Sequence, residues 1–325
     1  MKSVFYSRWI CSVHVRAMRS ALFLIPLFFL QPKVRGQSFI DFQYIATWCE
    51  KGTAAGEVLA PMGIATDPMG YLYVADTGNQ RIQKFDLRGR FVSMIGGFGW
   101  QAEQFDNPVS IWAGNGLDVF VADFNNHRIQ RYDKDLHYLA AFQTDENWPE
   151  YLTFGFPLDA ELSAQGELFC LDGENQRILK LDVYGNPQRT FGDFDSGAGR
   201  LLMPQRLCLT KDGRILVSDH THHAILVFDL HGNYLSKFGE SDLTAPMDMT
   251  ELPQGQILVA DAKNGLVVFN ASGQILSRLE GSARGGFLFK ETVDVASHDS
   301  LLFILDSQRH AVDVFQWQLS VEGSF

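Results

Sequence analysis

Residues 71–85, YLYVADTGNQRIQKF, end one apolar run on an aspartate and begin the next apolar run within six residues. This pattern occurs six times along the chain. Its aspartates are Asp76, Asp123, Asp172, Asp219, Asp261 and Asp306. They lie 42 to 49 residues apart, which is the length of one small β-sheet and too long for leucine-rich or ankyrin units. The sequence therefore predicts a protein of six repeats.

Each repeat contains four short apolar segments separated by turn signals. In the first repeat a Pro-then-Gly turn, DPMG, occupies residues 67–70, and a second turn, LRGR, occupies residues 87–90. The segments that these turns separate are 62–66, 71–76, 81–86 and 91–96. No stretch between them has the length and the 3.6-residue spacing of a helix. The pattern predicts an all-β fold, a six-bladed β-propeller of four-stranded antiparallel blades.

The last repeat lacks a fourth strand, whereas residues 42–49 form a surplus strand before the first repeat. We therefore expect the N-terminal strand to join the last blade as its outer strand. That arrangement closes the ring and removes an open sheet edge.

The turns after the second strand carry the pattern Asn-x-Arg-Ile in the first three repeats, at residues 79–82, 126–129 and 175–178. With connectors such as 96–99 leading to Pro108, this resembles the NHL repeat family over residues 40–316. The resemblance implies a six-bladed NHL propeller of the secreted bacterial type. The family includes protein-binding, RNA-binding and a few enzymatic members, so it leaves the activity open.

Residues 1–36 precede the propeller, which we assign to residues 37–325 as one domain. Arginines precede a ten-residue apolar run, 21–30, and Gly36 offers a small residue for cleavage before Gln37. This is typical of a signal peptide, or of an uncleaved N-terminal anchor as the alternative. We expect a secreted or periplasmic protein, attached to a membrane only if that segment is retained. The first residue could be Met1 or Met18.

The composition excludes some functions. A net charge of −11 with scattered basic residues argues against nucleic-acid binding. The cysteines that follow residue 36 have unrelated spacings, so the sequence predicts neither a disulfide framework nor a CxxC metal site. With 46% hydrophobic residues, including 26 phenylalanines, packing between blades can supply the core.

Strand alternation suggests which residues of the inner strands face the central channel. One parity, which includes Ile64 and Ile111, is almost entirely apolar and is expected to pack between blades. The other is polar and is expected to face the channel. It contains Gly63, Ala65, Ser110, Trp112, Asp159, Glu161, Arg206, Cys208, Asp248, Thr250, Asp294 and Ala296.

Four acids then surround one arginine: Asp159, Glu161, Asp248 and Asp294 around Arg206. Acids this close repel one another unless they are paired, protonated or bridged by a cation. Three interpretations stay open. The ring is a structural network tied by Arg206, a site for a divalent cation such as calcium or for a cationic ligand, or a catalytic cluster.

Two further features are candidates for a site. His220 and His222 follow Asp219 at a spacing that can coordinate zinc, although histidines in a turn are usually solvated. The long connector 143–156 carries Trp148, Tyr151 and two phenylalanines among acidic residues. These aromatics either contact a partner or fold back onto the second and third blades. The recurrent aspartates are expected to be architectural, accepting N–H bonds from the turns, and the turn asparagines are expected to be turn formers that tolerate left-handed conformations.

The leading functional interpretation is a non-enzymatic propeller that binds a protein, a peptide or a small ligand. It would use Trp112, the charged ring residues and the 143–156 loop at one channel mouth. The alternative is a metal-dependent propeller enzyme, similar to the amidating lyase of the NHL family or to a lactonase. The absence of histidine from the inward positions disfavours the first of these enzymes, and Arg206 among the acids disfavours the second.

Overall fold

A computed structural model describes residues 38–279 and 289–321. In these two ranges, 24 strands form six antiparallel sheets of four strands each. The predicted six-bladed all-β propeller is confirmed. The predicted signal segment, 1–36, lies outside the described residues, so export and membrane attachment stay predictions. Within the described part of the chain, no helix has the length and apolar character needed to cross a bilayer.

The first three blades follow the chain from the inner strand to the outer strand. Blade 1 contains β2 (Gly63–Thr66), β3 (Tyr71–Asp76), β4 (Arg81–Asp86) and β5 (Phe91–Gly96). Blade 2 contains β6 (Pro108–Trp112), β7 (Asp118–Asp123), β8 (Arg128–Asp133) and β9 (Tyr138–Gln143). Blade 3 contains β10 (Pro157–Leu162), β11 (Leu168–Asp172), β12 (Arg177–Leu181) and β13 (Pro187–Phe191).

The remaining blades repeat this order. Blade 4 contains β14 (Pro204–Leu209), β15 (Arg214–Asp219), β16 (Ala224–Asp229) and β17 (Tyr234–Phe238). Blade 5 contains β18 (Pro246–Glu251), β19 (Ile257–Asp261), β20 (Gly265–Phe269) and β21 (Ile275–Leu279). Blade 6 contains β22 (Thr292–His298), β23 (Leu301–Asp306) and β24 (Ala311–Val321), with β1 (Ser38–Trp48) as its outer strand. Short 3-10 turns occupy Thr77–Asn79, Phe124–Asn126, Glu150–Leu152 and Gly197–Gly199.

The ring closes as predicted, because β1 pairs antiparallel with β24. The pairing runs from Ser38 opposite Val321 to Trp48 opposite Val312, with one bulge after Tyr44. Ile40 is buried in the cluster between blades 5 and 6, where its backbone N–H donates to Ser277 Oγ at 2.7 Å. The N-terminal strand is thus fixed to its own blade and to the neighbouring blade.

The core lies between neighbouring blades, and adjacent residues of an inner strand pack toward opposite neighbours. Ile64 packs in a cluster with blade 6, whereas Ala65 packs in a cluster with blade 2. Ala65, Cys208 and Ala296, which were predicted to face the channel, line a cavity on the axis and are also buried in clusters between blades. An inner strand turns its edge toward the axis, and its two faces meet the neighbouring blades.

In five blades, the turn between the second and third strands contains a non-glycine residue in the left-handed region. These residues are Gln80, His127, Gln176, His223 and His310, with φ between 51° and 55°, and in blade 5 Gly265 has a φ of 76°. In blades 1 to 3 the left-handed residue directly follows the turn asparagine, Asn79, Asn126 or Asn175. Those asparagines stabilise the turn through their side chains, which donate to the recurrent aspartates.

The cysteines at positions 49, 170 and 208, which are the described ones, are free. Burial raises the pKa of the Cys49 thiol to about 12, so this thiol is not a reactive nucleophile at neutral pH.

Candidate functional site

The recurrent aspartates hold each blade to the connector that precedes it. The fully buried Asp123 accepts a hydrogen bond from the backbone N–H of Asp106 at 2.8 Å. The other five aspartates accept equivalent bonds, and the donors are the backbone N–H groups of Leu59, Gly155, Leu202, Thr244 and Lys290. Four of the six also accept an N–H from the following turn, which is the predicted architectural role. The bond to the connector was not predicted.

A buried arginine completes this arrangement in blades 1 to 3. In blade 2, Arg128 Nε donates to Asp123 at 2.8 Å, and its remaining N–H groups donate to the carbonyl oxygens of Trp100, Gln101 and Gln104. The arginine thereby fixes the shape of the connector that leads into the blade. Blade 4 has Ala224 at the equivalent position.

Arg206 closes the central channel at the end where the connectors lie. Its guanidinium donates to four backbone carbonyls at the starts of four inner strands. The acceptors are Met62 at 2.8 Å, Val109 at 2.7 Å, Leu158 at 3.5 Å and Gln205 at 3.0 Å. The side chain therefore lies across the axis and ties blades 1 to 4 together.

The acids of the predicted ring each bind the backbone of the next blade. Asp159 accepts the N–H of Leu207 at 2.9 Å, and it also accepts the Ser110 hydroxyl. Asp248 accepts the N–H of Val295 at 2.9 Å. The other two acids follow the same rule, with Asp294 bound to Ile64 N–H and Glu161 to Leu209 N–H. These contacts support the interpretation of the ring as a structural network.

Burial raises the pKa of all four ring acids, and the increase is largest for Glu161 and Asp294. Beside Asp294, the Asp248 carboxyl adds to that increase, and the Arg206 guanidinium opposes it. The Asp248 and Asp294 carboxyls also act on each other, which adds to the increase for Asp294 and counteracts it for Asp248. Two neighbouring buried carboxylates repel each other unless a proton or a cation compensates their charge.

The ring lies at the floor of a cavity of about 530 Å³. Above the floor the wall includes Trp112, Glu161 and Thr250. The rim is formed by turns between first and second strands, including Pro68, Lys211 and Asp299. None of the lining residues belongs to a connector. The cavity therefore opens at the end of the channel opposite the connectors, which we call the turn end.

The predicted zinc ligands occupy a turn at the connector end. His222 takes the position that asparagine holds in blades 1 to 3, and its Nδ1 lies 3.2 Å from Asp219 Oδ1. The imidazole of the next residue, His223, contacts the carbonyl oxygen of Thr244 at 2.6 Å. Across the described ranges, no group of three or more His, Cys, Asp or Glu side chains is arranged to hold a metal ion. His222 thus contacts the recurrent aspartate of blade 4.

Most aromatics of the 143–156 loop fold back onto the protein. Phe154 is buried, Trp148 packs against the cluster between blades 2 and 3, and the Phe156 ring lies 4.0 Å from that of His127. Tyr151 differs, because 66% of it is exposed. Three of the four aromatics of this loop therefore pack onto the protein, and one, Tyr151, is exposed and free to contact a partner.

Three consecutive connectors, residues 97–107, 144–156 and 192–203, together form what we call the connector surface. Each of them exposes at least one large aromatic. Trp100 is 75% exposed, Tyr151 66% and Phe194 74%, with Phe98 at 69% beside Trp100. Only Tyr151 was predicted. Because loop length was the signal used, aromatics on connectors of ordinary length were missed.

Comparison with known sequences identifies the repeats. A profile of the NHL repeat matches residues 60–85, 105–132 and 201–228, which lie in blades 1, 2 and 4. This chain is an NHL-repeat propeller. The NHL propeller is 27% identical over 128 residues to the protein brain tumor of Drosophila melanogaster, a match that spans 38% of this chain and 12% of that protein. It is 27% identical over 144 residues to the B-box type zinc finger protein ncl-1 of Caenorhabditis elegans, across 44% of this chain and 16% of the relative.

Solved structures share the fold. A streptogramin B lyase structure superposes on 87% of the NHL propeller and 98% of its own chain, with a TM-score of 0.57 and 12% identity. A structural-genomics protein from Bacteroides thetaiotaomicron covers 87% of this chain and 77% of its own, with a TM-score of 0.63 and 12% identity. At these identities the likeness establishes the fold alone.

The NHL propeller divides the predicted site residues into two groups. Six of them surround the cavity: Trp112, Asp159, Glu161, Arg206, Asp248 and Asp294. The other four lie at the connector end: Trp148, Tyr151, His220 and His222. The expectation of one shared mouth is wrong, because the Arg206 side chain closes the channel between the two groups.

Asp294→Asn should stabilise the NHL propeller at pH 8. Because the folded-state pKa of Asp294 is raised, its stabilising contribution is complete below the unfolded-state pKa of about 3.9 and is lost as the pH rises through the folded-state value. Asparagine keeps an oxygen for the Ile64 N–H and offers an N–H to Asp248 without titrating. We expect a gain of about 1–3 kcal/mol at pH 8 in urea unfolding, and a smaller loss of stability between pH 5 and pH 8 than in the wild type.

Asp294→Ala provides the matched control, since it removes the charge and also the acceptor for the Ile64 N–H. It should be less stable than the asparagine variant at both pH values. An asparagine variant with the same dependence on pH as the wild type would show that Asp294 does not titrate in this range.

Proposed function

We propose that this NHL propeller is a non-enzymatic binding module that docks a protein or peptide on its connector surface. The observation that carries the proposal is the exposure of Trp100, Tyr151 and Phe194 on three consecutive connectors. Tryptophan and tyrosine are the residue types most enriched among the energetic anchors of protein interfaces. The connectors are themselves well held, because buried Arg128 binds the connector that carries Trp100. A surface of fixed shape loses little entropy when a partner binds.

The charge of the connector surface indicates the chemistry of the partner. Its three connectors carry seven acidic residues and one basic residue, Arg200. The acids are Glu103, Asp106, Asp145, Glu146, Glu150, Asp193 and Asp195. Arg200 lies over the ring of Phe194, 4.4 Å from its centroid. An acidic surface with aromatic anchors complements a segment that combines lysine or arginine with apolar side chains.

The ring acids favour a binding module over the metal-dependent enzyme. Asp159, Asp248 and Asp294 each direct an oxygen to a backbone N–H of the next blade. In this arrangement the acids act as links between blades. The Arg206 guanidinium lies beside these acids on the floor of the cavity. Its positive charge would repel a metal cation bound there.

A peptide-display selection tests the proposal. The wild-type propeller should enrich peptides in which lysine or arginine adjoins aromatic or aliphatic residues. Changing Trp100, Tyr151 and Phe194 together to serine should weaken binding of the enriched peptides about thirty-fold or more, because the loss of even one anchor worth about 2 kcal/mol corresponds to about thirty-fold.

The opposite end of the propeller supplies a matched control. Met69, Leu117 and Tyr184 lie on tight turns there and are 69%, 68% and 85% exposed. Changing these three to serine removes a comparable exposed apolar area and should leave peptide affinity unchanged. Enrichment of acidic peptides, or equal losses in the two triple variants, would refute docking at the connector surface.

A further inference from the structure

We propose that the central cavity is a second binding site, at the turn end, for a small amine that also carries hydroxyl groups. The cavity volume of about 530 Å³ is within the range of about 300–1,000 Å³ found for small-molecule sites. Its lining comes from the inner strands and the first turns of the blades. The site is therefore separate from the connector surface, and the Arg206 side chain stands between them.

Glu161 supplies an oxygen for a positively charged group. Its Oε2 accepts the Leu209 N–H at 2.7 Å, whereas its Oε1 has no hydrogen-bond partner among the described residues. Trp112, on the inner strand of the adjacent blade, lines the same cavity and is half-buried. A carboxylate oxygen and an indole ring in one enclosed space are the groups that hold an ammonium ion.

The charge of the floor favours the same class of ligand. Asp159, Asp248 and Asp294 lie there, below Glu161, and Arg206 is the one buried cation among them. Burial raises the pKa of Glu161 and Asp294, because a buried negative charge is costly. An ammonium group in the cavity would compensate part of that charge.

Arg206 indicates that the ligand also carries an acceptor. The arginine is 6% exposed, and its Nε has no hydrogen-bond partner. This Nε lies 3.9 Å from Asp294 Oδ2, too far for a direct bond but a span that one oxygen atom can bridge. A buried donor without a partner is costly, so an acceptor of the ligand gains from filling this place. A hydroxyl fits best, because it can donate onward to the carboxylate.

Calorimetric titration of the full chain with three probes that share a six-membered ring tests the proposal. Glucosamine carries both an amine and hydroxyls, glucose carries hydroxyls only, and cyclohexylamine carries an amine only. The buffer is phosphate, since Tris is itself a hydroxylated amine. We expect glucosamine to bind at least about ten-fold more tightly than either of the other probes, because only glucosamine satisfies both Glu161 and Arg206.

Three variants distinguish a built site from diffuse attraction. Glu161→Gln should weaken glucosamine binding about ten-fold or more, and Trp112→Leu should weaken it as well. Asp299→Asn removes a negative charge from the rim, where the Asp299 side chain is 91% exposed, and should change the affinity less than about two-fold. Thermal melts show which variants are folded, and Trp112→Leu decides the outcome if Glu161→Gln is not.

Three results would overturn the proposal: no heat with glucosamine, equal affinity for all three probes, or equal losses in the Glu161 and Asp299 variants. The connector variant at Trp100, Tyr151 and Phe194 should bind glucosamine like the wild type. Failure of the cavity site is thus distinguishable from failure of the docking surface.

Discussion

A chain that begins at Cys49 should fail to form a stable propeller, whereas a chain that begins at Ser38 should fold like the complete protein. Starting at Cys49 deletes β1, which pairs with β24 at ten positions. At about 0.5–1.5 kcal/mol for each backbone hydrogen bond, the ladder contributes on the order of 5–10 kcal/mol, comparable to the whole stability of a typical domain. The deletion also exposes an edge at Val312 and Val314, and an exposed apolar edge promotes aggregation.

Size-exclusion chromatography and thermal melting of the two shortened chains test this expectation. The chain starting at Ser38 controls for the loss of residues 1–37. A chain starting at Cys49 that is monomeric and melts at the same temperature as its control would mean that β1 does not close the ring.

Asp123→Ala should destabilise the protein more than the equivalent change in blade 4, Asp219→Ala. Removing Asp123 leaves the buried Arg128 without a counter-ion. It also leaves the backbone N–H of Asp106 and the side-chain amide of Asn126 without their acceptor. Breaking a buried ion pair from one side costs about 3–5 kcal/mol. Asp219 accepts backbone N–H bonds but has no buried arginine beside it, so its loss should cost about 1–3 kcal/mol. Urea unfolding of both variants measures the difference.

A double variant isolates the cause of the larger cost. If the unpaired guanidinium of Arg128 is responsible, Asp123→Ala combined with Arg128→Met should be more stable than Asp123→Ala alone. Equal costs for the Asp123 and Asp219 variants, or a double variant weaker than the single one, would contradict this account of the buried arginine.

The repeat pattern made the fold predictable, because the same aspartate, turn and strand signals recur in register and the surplus strand before Pro61 matches the deficit after Trp317. The role of the N-terminal strand in closing the ring followed from matching this surplus strand to the missing one. The cavity was only partly predictable. The alternation rule grouped Asp159, Arg206 and Asp294 correctly, but it assumed that a sheet face lines the channel.

The interactions that were not predicted join residues of different repeats, and the repeat spacing in the sequence does not indicate that these residues are in contact. Nothing in the sequence indicates that Arg206 reaches the carbonyl oxygens of Met62 and Val109, which are more than 90 residues away. The exposure of Trp100 and Phe194 depends on how their connectors pass over the blades, whereas Trp148, in a longer loop, packs inward. Which backbone atoms a long side chain contacts, and which loop residues are buried, depends on the folded structure and cannot be read from the repeat pattern.

Closure of the channel by Arg206 also gives the protein two chemically different ends. The connector end presents exposed aromatics and acidic residues, and the turn end opens into a cavity. The two proposals together predict that a partner and a small molecule bind at the same time without competition.

Hydrogen–deuterium exchange of the wild-type chain with and without a peptide selected on it tests the docking proposal most directly. We predict slower exchange in the connectors 97–107, 144–156 and 192–203, with the turns at 67–70 and 210–213 unchanged. Protection of those turns, with the three connectors unaffected, would contradict the assignment of the connector surface as the place where a partner binds.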